Sequence, residues 1–253
     1  MAKRFTNKTI VVTGAGGGLG RTSAEMFAAE GGHLILLDIN EQGLTETAGL
    51  IEAAGGSCDS YTIDLSEEAN IQVLGEQLCA KYPEIHVLYN NAGIAYGEVN
   101  MMIDQMDQEK WLRYLSINSL SPLFMAKSIR SSLSKAKGAV INQSSMAANQ
   151  PANVYGTTKA MLNSLTFGMA NAFAADNIRV VAIAPGIMET PASKEALPKE
   201  TYDRVQGMQL SNLHGTAEDI ANLALFLGSD DARFINCEIV NCDAGSRLRG
   251  WRG

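Results

Sequence analysis

Seven short runs rich in β-branched and apolar residues recur along this chain: residues 9–14, 33–38, 59–64, 86–93, 138–145, 178–186 and 237–245. Between them lie stretches with apolar residues at helical spacing, such as Leu19, Met26 and Phe27, then Leu162, Leu165, Met169 and Phe173. Strands that alternate with helices cannot pair as hairpins. They must cross over, which gives a parallel sheet covered on both faces. The expected architecture is α/β: one doubly wound domain over 1–253 with a predominantly parallel seven-stranded sheet. The region richest in Gly, Pro and Lys, about 187–214, reads as a long excursion rather than a domain boundary.

Bulk properties narrow the function. The chain is 46% hydrophobic and 19% charged, as in ordinary globular proteins. Twenty basic residues stand against 27 acidic ones, a net charge of −7. That balance disfavours nucleic acid or an anionic membrane as partner, since phosphate binding needs a basic footprint. No apolar run approaches the ~20 residues of a membrane span, and the N-terminal stretch has no signal-peptide core. Cys58, Cys79, Cys237 and Cys242 have no paired spacing, and His33, His86 and His214 are scattered, so no metal site is expected. A cytoplasmic protein with reduced thiols is the expectation.

TGAGGGLGR (13–21) follows the first strand and opens the first helix. Glycine there permits positive φ and close backbone approach, and the helix N-terminus offers N–H groups to a pyrophosphate. The surrounding order is strand, turn, amphipathic helix, second strand and a terminal acid, which is the context of a Rossmann-type dinucleotide site. The acid is Asp38. A carboxylate there accepts from both adenosine ribose hydroxyls and repels a 2′-phosphate. Neither Gly17 nor Ile39 is basic, so NAD is favoured over NADP.

The glycine pattern Thr13-Gly14-x-x-x-Gly18-x-Gly20, NNAG at 90–93 and Tyr155-x-x-x-Lys159 together strongly resemble the short-chain dehydrogenase/reductase family, in its compact single-domain branch. The resemblance covers essentially the whole chain. It implies that Gly14, Gly18, Leu19 and Gly20 line the pyrophosphate turn, that Asp64 and Leu65 contact adenine, and that Asn91 and Gly93 support the cofactor side of the fourth strand. It also implies that Ile187 and Thr190, in a PGxxxT-like stretch, hold the nicotinamide end. Asn118 matches the family's active-site asparagine and would hold a water linking Lys159 to solvent. Ser145 matches the substrate-orienting serine, with Ser144 the fallback. A homotetramer is a further expectation of the resemblance. Ala244 departs from it, standing where relatives commonly have glycine.

The chemistry explains the residue types. Oxidation of a secondary alcohol delivers a hydride to the cofactor and a proton to a base. Free tyrosine, near pKa 10, is a poor base at neutral pH. A lysine ammonium ~5 Å away at an effective ε of ~20 favours the phenolate by roughly 3 kcal/mol, about two pKa units. Four-residue spacing puts Tyr155 and Lys159 on one helix face.

The expected reaction is therefore NAD(H)-dependent interconversion of a secondary alcohol and its ketone, with Tyr155 as acid/base. The excursion carries Leu197, Tyr202, Val205, Met208, Leu210 and Leu213, and Tyr96 and Met146 border the same cleft. These favour a cyclic, aromatic or alkyl substrate, although Asn149, Gln150 and Asn153 could bind hydroxyls. Alternatives are a 3-oxoacyl-carrier-protein reductase, a polyol or sugar dehydrogenase, and, in another class, a non-catalytic NAD-sensing scaffold. The first generally uses NADP and needs basic docking residues, whereas this chain has Asp38 and, after the Tyr155 helix, AADN at 174–177.

Overall fold

A computed structural model describes residues 3–95, 97–190, 193 and 197–249. Seven strands form one parallel sheet in the order β3-β2-β1-β4-β5-β6-β7. They are β1 Thr9–Thr13, β2 His33–Asp38, β3 Ser57–Thr62, β4 Val87–Asn90, β5 Ala139–Gln143, β6 Arg179–Pro185 and β7 Glu238–Cys242. Each lies within a predicted run except β3, which starts and ends two residues earlier than its run. Ile63 and Asp64 leave the sheet there, although the Ile63 N–H still donates to the Asp38 carbonyl at 2.8 Å.

The pleat sends alternate residues to opposite faces, and each face is covered. Ile10, Val12, Leu34 and Leu36 pack under α1 Gly18–Ala29, α2 Glu41–Ala53 and a late helix, Ala217–Gly228. Val11, Ile35, Leu88 and Val140 pack on the other side. There they meet α3 Glu68–Lys81, α5 Ser121–Ser128, α6 Arg130–Ala136 and α7 Val154–Ala172. A helix α4, Gln108–Leu115, runs into a π-helical turn, Ser116–Leu120, before α5. Helices among the described residues after α7 include α8 Lys199–Gln206, α9 Ala217–Gly228 and α10 Ser246–Arg249. Among the described residues no helix is long and apolar enough to cross a membrane.

Strand order reverses between β1 and β4, so the loops leaving those two strands diverge and open a crevice at their carboxyl ends. Every predicted site residue lies on or near that edge except Tyr96, which falls outside the described residues.

The departure at Ala244 has a structural cost. Its φ is +49°, in the left-handed region. Its carbonyl accepts from Leu210 N–H at 2.8 Å, and Asp243 on one side accepts from Gly245 N–H at 3.0 Å, so the turn is fixed. Ala244→Gly relieves the Cβ–carbonyl conflict and is expected to stabilise the fold by ~0.5–1 kcal/mol. That raises Tm by about 1–3 °C. An unchanged or lowered melting temperature would remove this account of the turn.

Candidate active site

The turn after β1 is built by packing as much as by ligand chemistry. Gly14 has φ +67°, and a Cβ on Gly20 would sit 2.0 Å from the Gly14 carbonyl oxygen. Gly20 thus lets α1 approach the end of β1. Asn91 Nδ2 donates to the Thr13 and Gly14 carbonyls at 3.0 and 3.1 Å, and Ala92 N–H donates to Thr13 Oγ1 at 2.9 Å. The NNAG segment therefore ties the loop after β4 to the loop after β1, across the switch point. Gly17 and Gly18 differ from Gly14 and Gly20: open space surrounds a Cβ built on either, and both line the cleft. The first N–H groups of α1 face that space without an earlier helical turn to donate to.

Asp38 ends β2 and lines the same cleft. Its Oδ2 accepts from Gly16 N–H at 2.8 Å and its Oδ1 from Asn40 N–H at 2.9 Å, which orients the carboxylate. The nearest cation in sequence, Arg21, is turned elsewhere. It donates to the Gly16 carbonyl at 2.7 Å, to Thr47 Oγ1 at 3.0 Å and to Glu46 at 2.8 Å. Ile39, the next residue, is 61% exposed. Asp64 and Leu65 lie beside this end of the cleft. Ser66 N–H donates to Asp64 Oδ1 at 2.9 Å, and this bond, more than any other influence, holds the carboxyl below its ordinary range.

The open N-terminus of α1, the oriented carboxylate and an elongated cleft of about 810 Å³ together fit a dinucleotide.

Tyr155 and Lys159 sit in the first turns of α7 and both line the cleft. The helix is started by Asn153, whose Oδ1 accepts from Gly156 N–H at 2.8 Å. Lys159 Nζ lies 5.8 Å from the centre of the Tyr155 ring. It donates to the Gln143 carbonyl at 2.7 Å and is 3% exposed. Burial pushes the ammonium down to about 8, still above neutral pH. A Cβ on Gly93 would sit 3.3 Å from Lys159 Nζ and 3.1 Å from Asn118 Oδ1, so NNAG also makes room for the lysine.

The serines separate by their hydrogen bonds. Ser144 Oγ donates to Asn163 Oδ1 at 2.5 Å, which commits it to α7. Ser145 Oγ accepts from Ala147 N–H at 3.2 Å and keeps its own proton to offer to the cleft. Of the two, Ser145 is the one whose hydroxyl can donate into the cleft.

Asn118 is fixed by three hydrogen bonds. Its Oδ1 accepts from Ile94 N–H at 2.7 Å, and its Nδ2 donates to the Ile94 carbonyl at 3.0 Å and to Thr158 Oγ1 at 3.2 Å. The side chain is fully buried, and these bonds tie the π turn to the loop after β4 and to α7, with one lone pair of Oδ1 left over. It lies within the π turn, where Ser121 N–H donates to the Ser116 carbonyl.

At the other end, Ile187 and Thr190 line the cleft, as does Met146. Thr190 N–H donates to Ser193 Oγ at 3.0 Å, and Ser193 N–H donates back to Thr190 Oγ1 at 3.2 Å, which stiffens the strand-to-excursion turn. Leu197, Thr201 and Val205 approach from the excursion, and Asn100 and Asn153 add amides.

Among the cleft residues that escaped the sequence reading, Gln143 and Arg113 stand out. Gln143 anchors Lys159 through its backbone, which no motif could show. Arg113 lines the cleft together with Ile117, one turn onward, a spacing visible upstream of Asn118.

A family model described as enoyl-(acyl carrier protein) reductase matches residues 14–247. The chain is 30% identical to the uncharacterized oxidoreductase YxbG of Bacillus subtilis (strain 168), covering 99% of this chain and 94% of that one. It is 29% identical to the 3-oxoacyl-[acyl-carrier-protein] reductase FabG of Thermotoga maritima, covering 96% and 98%. Among solved structures, a 7α-hydroxysteroid dehydrogenase complexed with NADH and 7-oxo glycochenodeoxycholic acid superposes with a TM-score of 0.89 at 28% identity, covering 96% of each chain.

Proposed function

Because the chain belongs to the short-chain dehydrogenase/reductase family, and is an oxidoreductase of that type, we propose that it is an NAD(H)-dependent dehydrogenase interconverting a secondary alcohol and its ketone. The observation that carries this reading is the buried Lys159 ammonium beside the Tyr155 ring, both facing one cleft with Ser145. A scaffold that only bound the dinucleotide would need no such proton device.

Bound along the cleft, NAD supplies the hydride acceptor, and NADH the donor. Gly17, Gly18 and the α1 N-terminus would hold its pyrophosphate, and Asp38 its adenosine ribose. Ser145 donates to the substrate oxygen and restricts its pose. The Tyr155 oxygen takes the hydroxyl proton during oxidation and returns it during reduction. Lys159 lowers the cost of the phenolate in between.

Cofactor choice rests on Asp38 and on Arg21 being held by Glu46, Thr47 and the Gly16 carbonyl. NAD is expected to bind at least tenfold more tightly than NADP. Asp38→Asn, which keeps shape and loses charge, is expected to weaken NAD roughly tenfold and to narrow that gap. Titrating both nucleotides into both proteins tests this. A wild-type protein that prefers NADP would sink the NAD assignment.

The substrate end is walled by Ile94, Ala95, Met146, Met188, Leu197 and Val205. Of the cleft's charged side chains among the described residues, Asp38, Asp64 and Arg113 belong to the adenosine end and Lys159 to the proton device. This favours an uncharged substrate with a cyclic, aromatic or alkyl body. It gives no cation for a phosphorylated carrier arm.

A further inference from the structure

We propose that Arg113 is a binding residue of the adenosine end, its planar guanidinium covering one face of the adenine ring. This rests on the NAD reading above. Arg113 lines the cleft with Ile39, Ile63, Asp64 and Leu65. Its charge is among the influences that lower the Asp64 carboxyl, after the Ser66 bonds, so the two side chains share this end. Its guanidinium makes no hydrogen bond or salt bridge among the described residues, whereas that of Arg21 is held by Thr47, Glu46 and the Gly16 and Gly43 carbonyls.

A cation in the last turn of a helix is often explained by the unpaired carbonyls there. That explanation does not serve here. α4 passes into the π turn and then into α5 without a break, so the carbonyls after Arg113 continue to be used.

The chemistry at this end is instead that of an aromatic base. Leu65, Ile39 and Ile63 offer an apolar bed for one ring face, and the Asp64 carboxylate can accept from an exocyclic amine at the edge. The open face is then matched by a delocalised, weakly hydrated cation that stacks on π systems. Lysine would keep the charge and lose the plane.

Isothermal titration of the full chain with ADP-ribose and with its 2′-phosphorylated analogue tests the assignment. Arg113→Ala is expected to weaken ADP-ribose roughly five- to thirtyfold, the range of a partly desolvated cation–π contact. Arg113→Lys is expected to recover only part of that loss. Because Arg113 is exposed, both variants should melt with the wild type. Unchanged ADP-ribose affinity in Arg113→Ala would overturn the proposal while leaving the NAD reading standing. A loss confined to the 2′-phosphorylated ligand would overturn it in favour of a phosphate contact. A wild-type chain that binds no ADP-ribose would overturn both.

Discussion

Tyr155→Phe is expected to lower kcat by ~10³, within the usual range for removing a positioned proton-transfer group, while leaving NAD affinity within about twofold of wild type. The substitution deletes one oxygen. The ring that packs near Lys159 remains, and so do the glycine turn and Asp38, which carry the nucleotide. The loss should therefore appear in kcat and kcat/KM together, as for an interaction made in the transition state. A variant that kept a tenth or more of wild-type kcat would remove Tyr155 from the proton path. A variant that lost NAD binding as well would show that the tyrosine holds the nucleotide rather than the proton. Stopped-flow traces under single-turnover conditions separate these cases.

Lys159→Met is expected to abolish turnover to a similar degree and yet to make the fold more stable at neutral pH. Lys159 is buried, its pKa is depressed from 10.5 to about 8, and its ammonium donates to the Gln143 carbonyl. The unfolded chain keeps the proton more tightly than the folded one. Below about pH 8 the lysine is charged in both states and the full burial cost is present. Between about 8 and 10.5 the folded state releases its proton first, so wild-type stability gains with rising pH from this group. Above 10.5 the cost is gone.

At roughly 1.4 kcal/mol per pKa unit the relief is about 3 kcal/mol. Losing the hydrogen bond to Gln143 offsets about 1 kcal/mol of it. Lys159→Met should thus melt several degrees above wild type at pH 7, and the difference should shrink as pH passes through that window. Comparing the two proteins at each pH cancels every other titrating group. Equal or lower stability of the variant at pH 7 would mean that the lysine is better solvated or better paired than its burial implies.

The same buried lysine marks where sequence reading succeeds and where it stops. Spacing alone places Tyr155 and Lys159 on one face, because four residues is about one helical turn. It says nothing about the carbonyl that Lys159 meets, since Gln143 contributes its backbone and any residue there would do so. The sheet was legible because buried parallel strands read as unbroken apolar runs. The edge strand β3, with its polar SCDSYT, was the one whose limits slipped.

The glycine turn was legible as a motif but not as two different devices. Gly14 and Gly20 serve close packing, whereas Gly17 and Gly18 face open space. Asn118 was legible as a motif position, but its bonds to Ile94 and Thr158 were not, because those partners come from a loop and a helix distant in sequence. Ser145 over Ser144 was legible from the motif, but the bond that commits Ser144 to Asn163, on α7, was not.

The most direct test of the central claim is reduced-nicotinamide absorbance, followed with NAD over a panel of cyclic, aromatic, aliphatic and polyol secondary alcohols, with Tyr155→Phe run beside the wild type. The account predicts NAD-dependent oxidation of at least one uncharged cyclic, aromatic or alkyl alcohol, and its collapse in the variant. Tight NAD binding with no turnover of any alcohol would contradict it, as would turnover that survives the loss of the tyrosine hydroxyl.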